Sequence, residues 1–465
     1  MEWDDIVYLS LLFISIGFGY FYRHIENPEQ KKWIGTGVGF IMAVFVSGIH
    51  ILHPIICVFI NALIILFISK RICHIVSFVY TFAHLLFFRT TIYFGIPYPP
   101  AHTNLVQMML TLKLVGLAFE LNTAYNAKHT KQDGKVTLSD DKIEYLQKQP
   151  TFVDIWHYAF NYVGVLTGPY YKYSTFHDSM HSPFSKFVDC NSATIQKLKW
   201  VPLYAVLFLF LTSIWPISYA FGDEFYENRS WLYRLWYITP TFCWFRMRIY
   251  IGLTLSECVC TMAGLGAYPT FTETKPGEGP TKEFAKLKDL MNNKEEAKKY
   301  QYDFTTIYNI NPYGSDFCTT FREGMKHWNI CIQYWLAVNI YKRFPSKQLR
   351  TFATTFISAL WHGVYIGYYF CITGVPFYLI VEDAYMKVVR KDMTGRKAVI
   401  WDWILYFSKM QGFAYLGFAF QLLSVQRVMR YYNSIYHSGE ILLLILYLIV
   451  LYIKSQKRQK ETKSS

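Results

Sequence analysis

The chain has 465 residues, of which 53% are hydrophobic and 19% aromatic, and a net charge of +14. A water-soluble protein of this composition would have to hide an unusually large apolar surface, whereas the apolar residues here fall into runs long enough to cross a bilayer as helix. Lys and Arg residues beside such runs follow the positive-inside rule and attract anionic lipids and substrates, so we predict a membrane protein with no nucleic-acid partner.

Eleven apolar segments predict an all-α, multi-pass membrane protein. The first follows an acidic N-terminus that lacks the basic region of a cleaved signal, so it is expected to be retained. Two further apolar stretches, 152–170 and 325–342, are interrupted by polar residues, which is more typical of re-entrant or cavity-lining helices than of lipid-facing ones. The predicted spans are 6–22, 34–50, 51–69, 75–95, 104–121, 201–221, 231–250, 251–268, 351–381, 401–424 and 439–453.

Two polar stretches interrupt the apolar pattern. The polar composition of the first stretch, about 122–150, predicts a cytosolic loop. That of the second stretch, about 273–302, predicts a loop that leads into a short surface helix. Neither joins soluble domains, so we expect one membrane domain, 1–453, followed by a basic cytosolic tail, 454–465. Basic residues after the first, third and fifth spans place those loops in the cytosol, which puts the N-terminus in the lumen and the C-terminus in the cytosol.

His362 is the residue best suited to chemistry. It lies between Trp361 and Gly363, with aromatic residues on both sides and no carboxylate nearby in the sequence. An apolar setting favours the neutral imidazole, and a neutral histidine can remove a proton from an alcohol that attacks a carbonyl group. The alternative is a structural histidine, and this residue alone does not decide between them.

Asn329 is the second candidate, in a predicted helix that is rich in tryptophan. Its amide could donate to a developing oxyanion or hold a substrate ester, or it could bond across a helix bundle without any chemical role. Arg246 and Arg248 lie in an apolar segment. They could hold the phosphates of a nucleotide or lipid headgroup, or extend to the membrane surface.

Several enzyme classes lack their defining motif in this sequence. There is no G-x-S-x-G, no P-loop and no H-E-x-x-H, which argues against a serine hydrolase, a nucleotide-driven pump and a zinc protease. The nine cysteines include no C-x-x-C pair, so they are expected to be free and mostly buried thiols. We therefore predict no metal site and no bound cofactor.

The order of these motifs resembles the membrane-bound O-acyltransferase family. Asn329 is followed 33 positions later by His362 in its Trp-His-Gly motif. Further segments resemble the lysophospholipid branch of the family, and most of all its enzymes that acylate lysophosphatidylinositol. These segments are 86–89, 110–115, 162–173, 245–250 and 309–318.

The resemblance implies a bundle of about eleven tilted helices around a central catalytic chamber. It implies acyl transfer from acyl-CoA, a soluble co-substrate, to the sn-2 hydroxyl of lysophosphatidylinositol, with arachidonoyl-CoA as donor, in phospholipid remodelling at the endoplasmic reticulum. His362 would be the general base, and Asn329 would orient substrate or stabilise the oxyanion. The candidate substrate-binding residues are Trp328, Trp361, Asp316, Arg246, Arg248 and Tyr308.

Other interpretations remain open at this level. Another lysophospholipid headgroup is one, because no residue here identifies an inositol pocket, and a family member that acylates a protein or a sterol is another. A lipid transporter or scramblase would use intramembrane polar residues as a path for lipid, although the sequence has no internal repeat. We find no retrieval signal for the endoplasmic reticulum, and protein partners are not indicated.

Overall fold

The computed structural model describes residues 3–132 and 139–464. The described chain is largely helical, which confirms the predicted all-α class. A short antiparallel pairing joins β1 (Tyr268–Pro269) to β2 (Tyr302–Asp303).

The helices are numbered in chain order, with short 3-10 turns between several of them. They are α1 (Trp3–Tyr22), α2 (Pro28–Ser47), α3 (Leu52–Phe67), α4 (Cys73–Arg89), α5 (Ala101–Gln132), α6 (Asp140–Leu146), α7 (Phe152–Phe160), α8 (Tyr173–His181), α9 (Cys190–Leu198), α10 (Val201–Ile214), α11 (Asp223–Glu227), α12 (Trp231–Met262), α13 (Phe284–Asn292), α14 (Lys294–Ala297), α15 (Pro312–Phe317), α16 (Phe321–Lys326), α17 (Ile330–Leu336), α18 (Arg350–His362), α19 (Ile366–Val388), α20 (Gly395–Leu422), α21 (Val425–Ser434) and α22 (Ser438–Ser464).

Apolar surfaces on several helices fit a bilayer. α10 exposes Val206 and Phe210, and α22 exposes Leu442 and Leu448. Exposed apolar surface on this scale is in contact with lipid in a membrane protein. By length and composition, five helical stretches of the described residues could cross a membrane: Asp4–Tyr22, Pro28–Phe67, Ala101–His129, Cys190–Phe221 and Ser438–Gln459. The predicted number of eleven spans stays a prediction.

Two predicted helix boundaries are wrong. The spans 231–250 and 251–268 were predicted as separate helices, but α12 runs through position 250 without a break. A single glycine follows at position 252, and one glycine costs a helix only about 1 kcal/mol. Conversely, the predicted span 351–381 is divided, because α18 ends at His362 and α19 begins at Ile366.

The polar stretches are more helical than the sequence suggested. α5 continues to Gln132, so the predicted loop at 122–150 begins later and contains α6. Residues 122–132 include no proline or glycine that would end a helix. The predicted short helix within 273–302 is confirmed as α13 and α14. The basic tail is helical to Ser464 as the continuation of α22.

The chain forms two compact units. The first comprises 1–202, 251–310 and 329–343, and the second comprises 203–250, 311–328 and 344–465. In the first unit, α4 packs along α5, and α7 packs on α2 and α3. In the second unit, α19 packs on α18, α20 and α22.

Within the first unit, residues 161–172 form an irregular and largely buried segment, so the cavity-lining or re-entrant helix predicted over 152–170 is wrong beyond Phe160. The N–H of Tyr162 donates to the carbonyl of Gly35 on α2 (2.9 Å). Gly39 permits this close approach, because a Cβ at that position would lie 2.1 Å from the carbonyl oxygen of Phe160. Non-helical backbone at membrane depth is tolerated only where it is buried in protein and its polar groups are bonded.

Asp178 is a buried carboxylate on α8 that ties together surrounding elements of the first unit. It pairs with Lys148 and accepts from the hydroxyls of Tyr145 (2.6 Å) and Tyr268 (2.8 Å). Burial by itself would raise the pKa of Asp178. The charge of Lys148 and the hydrogen bonds from Lys148 and Tyr145 outweigh burial and lower this pKa to about 2.

Acid should therefore weaken the first unit through Asp178. A carboxyl group whose folded pKa lies below its usual value of 3.8 stabilises the fold above that pH, and this stabilisation is lost as the pH falls through the folded pKa. We expect the stability advantage of wild type over Asp178→Asn to shrink by about 2 kcal/mol between roughly pH 5 and pH 2, measured by unfolding in detergent. The exposed Asp141→Asn on α6 is the charge-matched control. Parallel pH profiles for wild type and Asp178→Asn would contradict this expectation.

Candidate active site

His362 lies in the second unit, at the last residue of α18, among three aromatic rings. Its imidazole is half-buried. The ring centroid of Trp361 is 4.8 Å away, that of Phe420 is 5.2 Å away with the planes at 82°, and that of Tyr368 is 6.1 Å away. The predicted apolar setting of this histidine is therefore confirmed.

The ring of Tyr368 leaves no room for a side chain at position 363, so a glycine follows His362. The N–H of Gly363 donates to the carbonyl of Ala359 (3.0 Å) and closes the last turn of α18. A Cβ at position 363 would lie 2.4 Å from the ring of Tyr368. A side chain there would push Tyr368 away from His362, so the glycine shapes the surroundings of the imidazole.

Asn329 lies in the first unit, and its predicted place within a helix is wrong. α16 ends at Lys326 and α17 begins at Ile330, so Asn329 stands at the junction before α17. Its backbone is left-handed, with φ 51° and ψ 49°. Asparagine adopts this conformation more readily than most residues with a side chain, which is why the junction tolerates it.

Asn309 holds the junction from one side. Its Nδ2 donates to Oδ1 of Asn329 (3.1 Å), and its own Oδ1 accepts from the N–H of Cys331 (3.0 Å). Its backbone carbonyl accepts from the N–H of Ile330 (2.7 Å). Asn309 is fully buried. A single asparagine thus binds three successive residues, beginning with Asn329.

Glu257 on α12 holds Asn309 in turn. Its Oε1 accepts from the backbone N–H groups of Asn309 (2.7 Å) and Ile310 (2.8 Å), and its Oε2 pairs with Lys197 on α9. Glu257 is only 2% exposed. We call Lys197, Glu257, Asn309 and Asn329 the asparagine network, and all four belong to the first unit.

In the second unit, the structure brings two other predicted residues together. Arg246 Nη1 donates to Oδ1 of Asp316 (2.9 Å), and the same oxygen accepts from the hydroxyl of Tyr250 (2.7 Å). The ammonium of the buried Lys409 donates to the carbonyls of Asp316 (2.7 Å) and Cys318 (2.7 Å), at the end of α15. Arg246 is thus engaged by groups of the protein.

The remaining predicted substrate residues are distributed over both units. Trp361 is buried beside His362. The ring of Trp328 lies 5.7 Å from that of Tyr250 in the second unit, where Arg248 is exposed. Tyr308, in the first unit, has the Lys197 ammonium 5.6 Å from its ring centroid. Their roles toward substrate stay predictions.

Sequence reasoning missed the two residues that organise these sites. Lys409 lies within the predicted span 401–424, and a lysine inside a span is costly unless it is bonded within the protein. Its position in the sequence could therefore have indicated a buried, bonded lysine. Asn309 begins the segment 309–318 that resembles the lysophospholipid branch, but nothing in that segment relates it to Asn329. It precedes α15 in a loop, and 20 positions separate it from Asn329, so no helical period relates the two residues.

The described residues contain no group of three or more His, Cys, Asp or Glu side chains that could hold a metal ion. The nine cysteines are free thiols, most of them buried, as predicted. The imidazole of His362 can accept a proton, and the side-chain amide of Asn329 can donate a hydrogen bond.

Comparison with known proteins extends over almost the whole chain. A sequence model of the membrane-bound O-acyltransferase family matches residues 56–421, a range that includes positions 329 and 362. Three relatives, each named a membrane-bound acylglycerophosphatidylinositol O-acyltransferase, match both units. That of Drosophila melanogaster is 44% identical over 99% of this chain and 95% of its own length. Those of Xenopus laevis and Homo sapiens are 37% and 35% identical, covering 100% and 94% of this chain and 97% and 91% of their own lengths.

Proposed function

The chain belongs to the membrane-bound O-acyltransferase family, and on that premise we propose that it transfers an acyl chain from acyl-CoA to the free sn-2 hydroxyl of lysophosphatidylinositol. The observation that carries the proposal is the full-length similarity to relatives named for acylglycerophosphatidylinositol acylation. The protein is an integral membrane protein, as the family and the apolar helices require.

His362 is the proposed general base. It removes the proton of the acceptor hydroxyl as the oxygen attacks the thioester carbonyl of acyl-CoA. The aromatic rings around it support this role, because an apolar setting favours the neutral imidazole that can accept a proton. When the tetrahedral intermediate collapses, the C–S bond breaks and the imidazolium returns its proton to the CoA thiolate, so the reaction closes without another co-reactant.

Asn329 is the proposed oxyanion donor. The thioester carbonyl oxygen gains negative charge in the tetrahedral intermediate, and an amide NH₂ held in place stabilises that charge more in the transition state than in the ground state. The fixed left-handed junction at Asn329 supports this role, because the donor needs little reorganisation during the reaction.

The nature of the substrates fits a membrane site. Acyl-CoA brings an anionic, water-soluble headgroup, while its acyl chain and the lysophospholipid partition into lipid. We propose arachidonoyl-CoA as the preferred donor, residence in the endoplasmic reticulum, and a lumenal N-terminus with a cytosolic C-terminus. The basic residues of α22 from Lys454 onward support this orientation, and protease accessibility of the C-terminus in sealed microsomes tests it.

An acceptor panel tests the proposed function. Purified protein is given arachidonoyl-CoA with lysophosphatidylinositol or with the choline, ethanolamine or serine lysophospholipid at equal concentration. We expect kcat/KM for lysophosphatidylinositol to exceed each of the others at least about tenfold, a difference of about 1.4 kcal/mol in transition-state binding. Palmitoyl-CoA in place of arachidonoyl-CoA provides the donor control and should react more slowly.

The outcomes of the panel separate the interpretations. Preference for another headgroup would keep the acyl-transfer chemistry and change the substrate. Absence of transfer to every acceptor, in protein shown to be folded, would contradict the proposal and direct attention to lipid transport.

A further inference from the structure

We infer that Asn309 is a positioning residue, which turns the amide of Asn329 so that its NH₂ group, and not its oxygen, is presented to the substrate. The inference rests on the proposed catalytic role of Asn329 and deepens it. It is carried by the asparagine network, whose four residues belong to one compact unit.

The orientation follows from one unambiguous donor. The backbone N–H of Cys331 can only donate, so the side-chain atom of Asn309 that faces it at 3.0 Å must be the oxygen. The other atom of the Asn309 amide is then the NH₂ group, and this group faces Asn329 at 3.1 Å. Because an NH₂ group can only donate, the atom of Asn329 that faces it must be Oδ1. The amide orientation of Asn329 is thus set by the backbone at Cys331.

The support of Asn309 is itself rigid. The carboxylate of Glu257 accepts from two successive backbone N–H groups, those of Asn309 and Ile310, and is paired with Lys197. The carbonyl of Asn309 accepts from Ile330, directly after Asn329. Charge-assisted bonds to backbone groups are among the stronger hydrogen bonds in proteins, so the loop before Asn329 and the start of α17 are held together as one piece.

This arrangement favours the donor role of Asn329 over an acceptor role. With Oδ1 occupied by Asn309, the amide offers a donor to the thioester carbonyl and its oxyanion. Oδ1 keeps a second lone pair, but it is turned toward Asn309, so the proton of the substrate hydroxyl is left to His362. Asn309 therefore acts on the reaction through Asn329 without touching the reacting atoms.

The test reverses one hydrogen bond and keeps the other. In Asn309→Asp, a carboxylate oxygen still accepts from Cys331, but the other oxygen cannot donate to Asn329 and instead draws the NH₂ group of Asn329 toward itself. We expect kcat for acylation of lysophosphatidylinositol to fall about 100-fold, the scale of losing one oxyanion donor, with KM for both substrates within about threefold of wild type.

A double-mutant cycle distinguishes positioning from a structural role. Asn329→Ala removes the group through which Asn309 acts, so adding Asn309→Asp to it should lower the residual kcat by less than about twofold. A merely structural role would impose its full loss in both backgrounds. Asn61→Asp is the matched control, because Asn61 is equally buried and donates to Thr81 Oγ1 (2.8 Å). Its kcat per folded molecule should stay near that of wild type.

The outcomes keep this inference distinct from the proposed function. An active wild type with Asn309→Asp at full kcat, or with equal losses in both backgrounds, would overturn the inference alone. A folded wild type that transfers no acyl chain to any lysophospholipid would overturn both. A selective loss of kcat that disappears in the Asn329→Ala background supports the inference.

Discussion

Replacing His362 with glutamine is expected to lower kcat for acyl transfer by about 10³-fold while the protein stays folded. Glutamine is close to histidine in size and keeps hydrogen-bonding capacity, but it cannot accept a proton at neutral pH. His362 is half-buried at the end of α18, so the substitution removes little packing. Steady-state kinetics with arachidonoyl-CoA and lysophosphatidylinositol measure the loss, and the thermal midpoint in detergent checks folding.

His157→Gln is the matched control for this experiment. His157 is fully buried in the first unit, its Nδ1 lies 2.8 Å from Thr36 Oγ1, and its ring packs 4.6 Å from that of Trp33. Its loss should lower the thermal midpoint but leave kcat per folded molecule close to wild type. If His362→Gln retained more than about a tenth of the wild-type kcat, proton removal by His362 would be ruled out as the main contribution to catalysis.

Replacing Glu257 with alanine should cost about 3–5 kcal/mol of unfolding free energy, the penalty for breaking a buried ion pair by removing one partner. Three groups lose their acceptor together: the ammonium of Lys197 and the backbone N–H groups of Asn309 and Ile310. Both N–H groups belong to buried residues, so water does not easily replace the carboxylate. Denaturation in mixed detergent measures the loss.

Glu295→Ala separates this effect from the general loss of a Glu–Lys pair. Glu295 pairs with Lys298 on the surface beside α14, with side chains 82% and 53% exposed, and such pairs contribute little. We expect no measurable change in stability for that control. Equal stability of the Glu257→Ala and Glu295→Ala proteins would mean that the carboxylate of Glu257 does not hold the loop before Asn329.

Much of the helical architecture could be predicted from hydropathy and from the proline, glycine and polar residues that end helices. Long apolar runs correctly predicted α1, α10 and α22. The proline- and glycine-rich residues Lys275–Pro280, in the polar stretch 273–302, correctly predicted a loop before α13. Polar interruptions predicted a re-entrant or cavity-lining helix over 152–170, and the first part of it is α7, which ends at Phe160. These features are local, since each depends on residues within one or two turns of each other.

The prediction failed where tertiary packing decides local structure. The break after His362 falls where Gly363 lies against the ring of Tyr368, whereas α12 continues past position 250 with open space beside Gly252. For the site, residue chemistry indicated His362 and Asn329 as candidates. The hydrogen bond from Asn309 to Asn329 could not be predicted from the sequence, because it joins a loop to a helix junction and no helical or strand periodicity relates the two positions.

The left-handed backbone at position 329 limits which inherited variants can fold. Asn, Asp and Gly occupy such a conformation with the least strain, whereas β-branched side chains are excluded. Among these three, asparagine alone carries an amide NH₂. Aspartate, one base change away, could keep the junction and accept from Asn309, yet it lacks the donor. Such an allele would yield normal amounts of protein in the membrane without activity, so that measuring abundance alone would miss the defect.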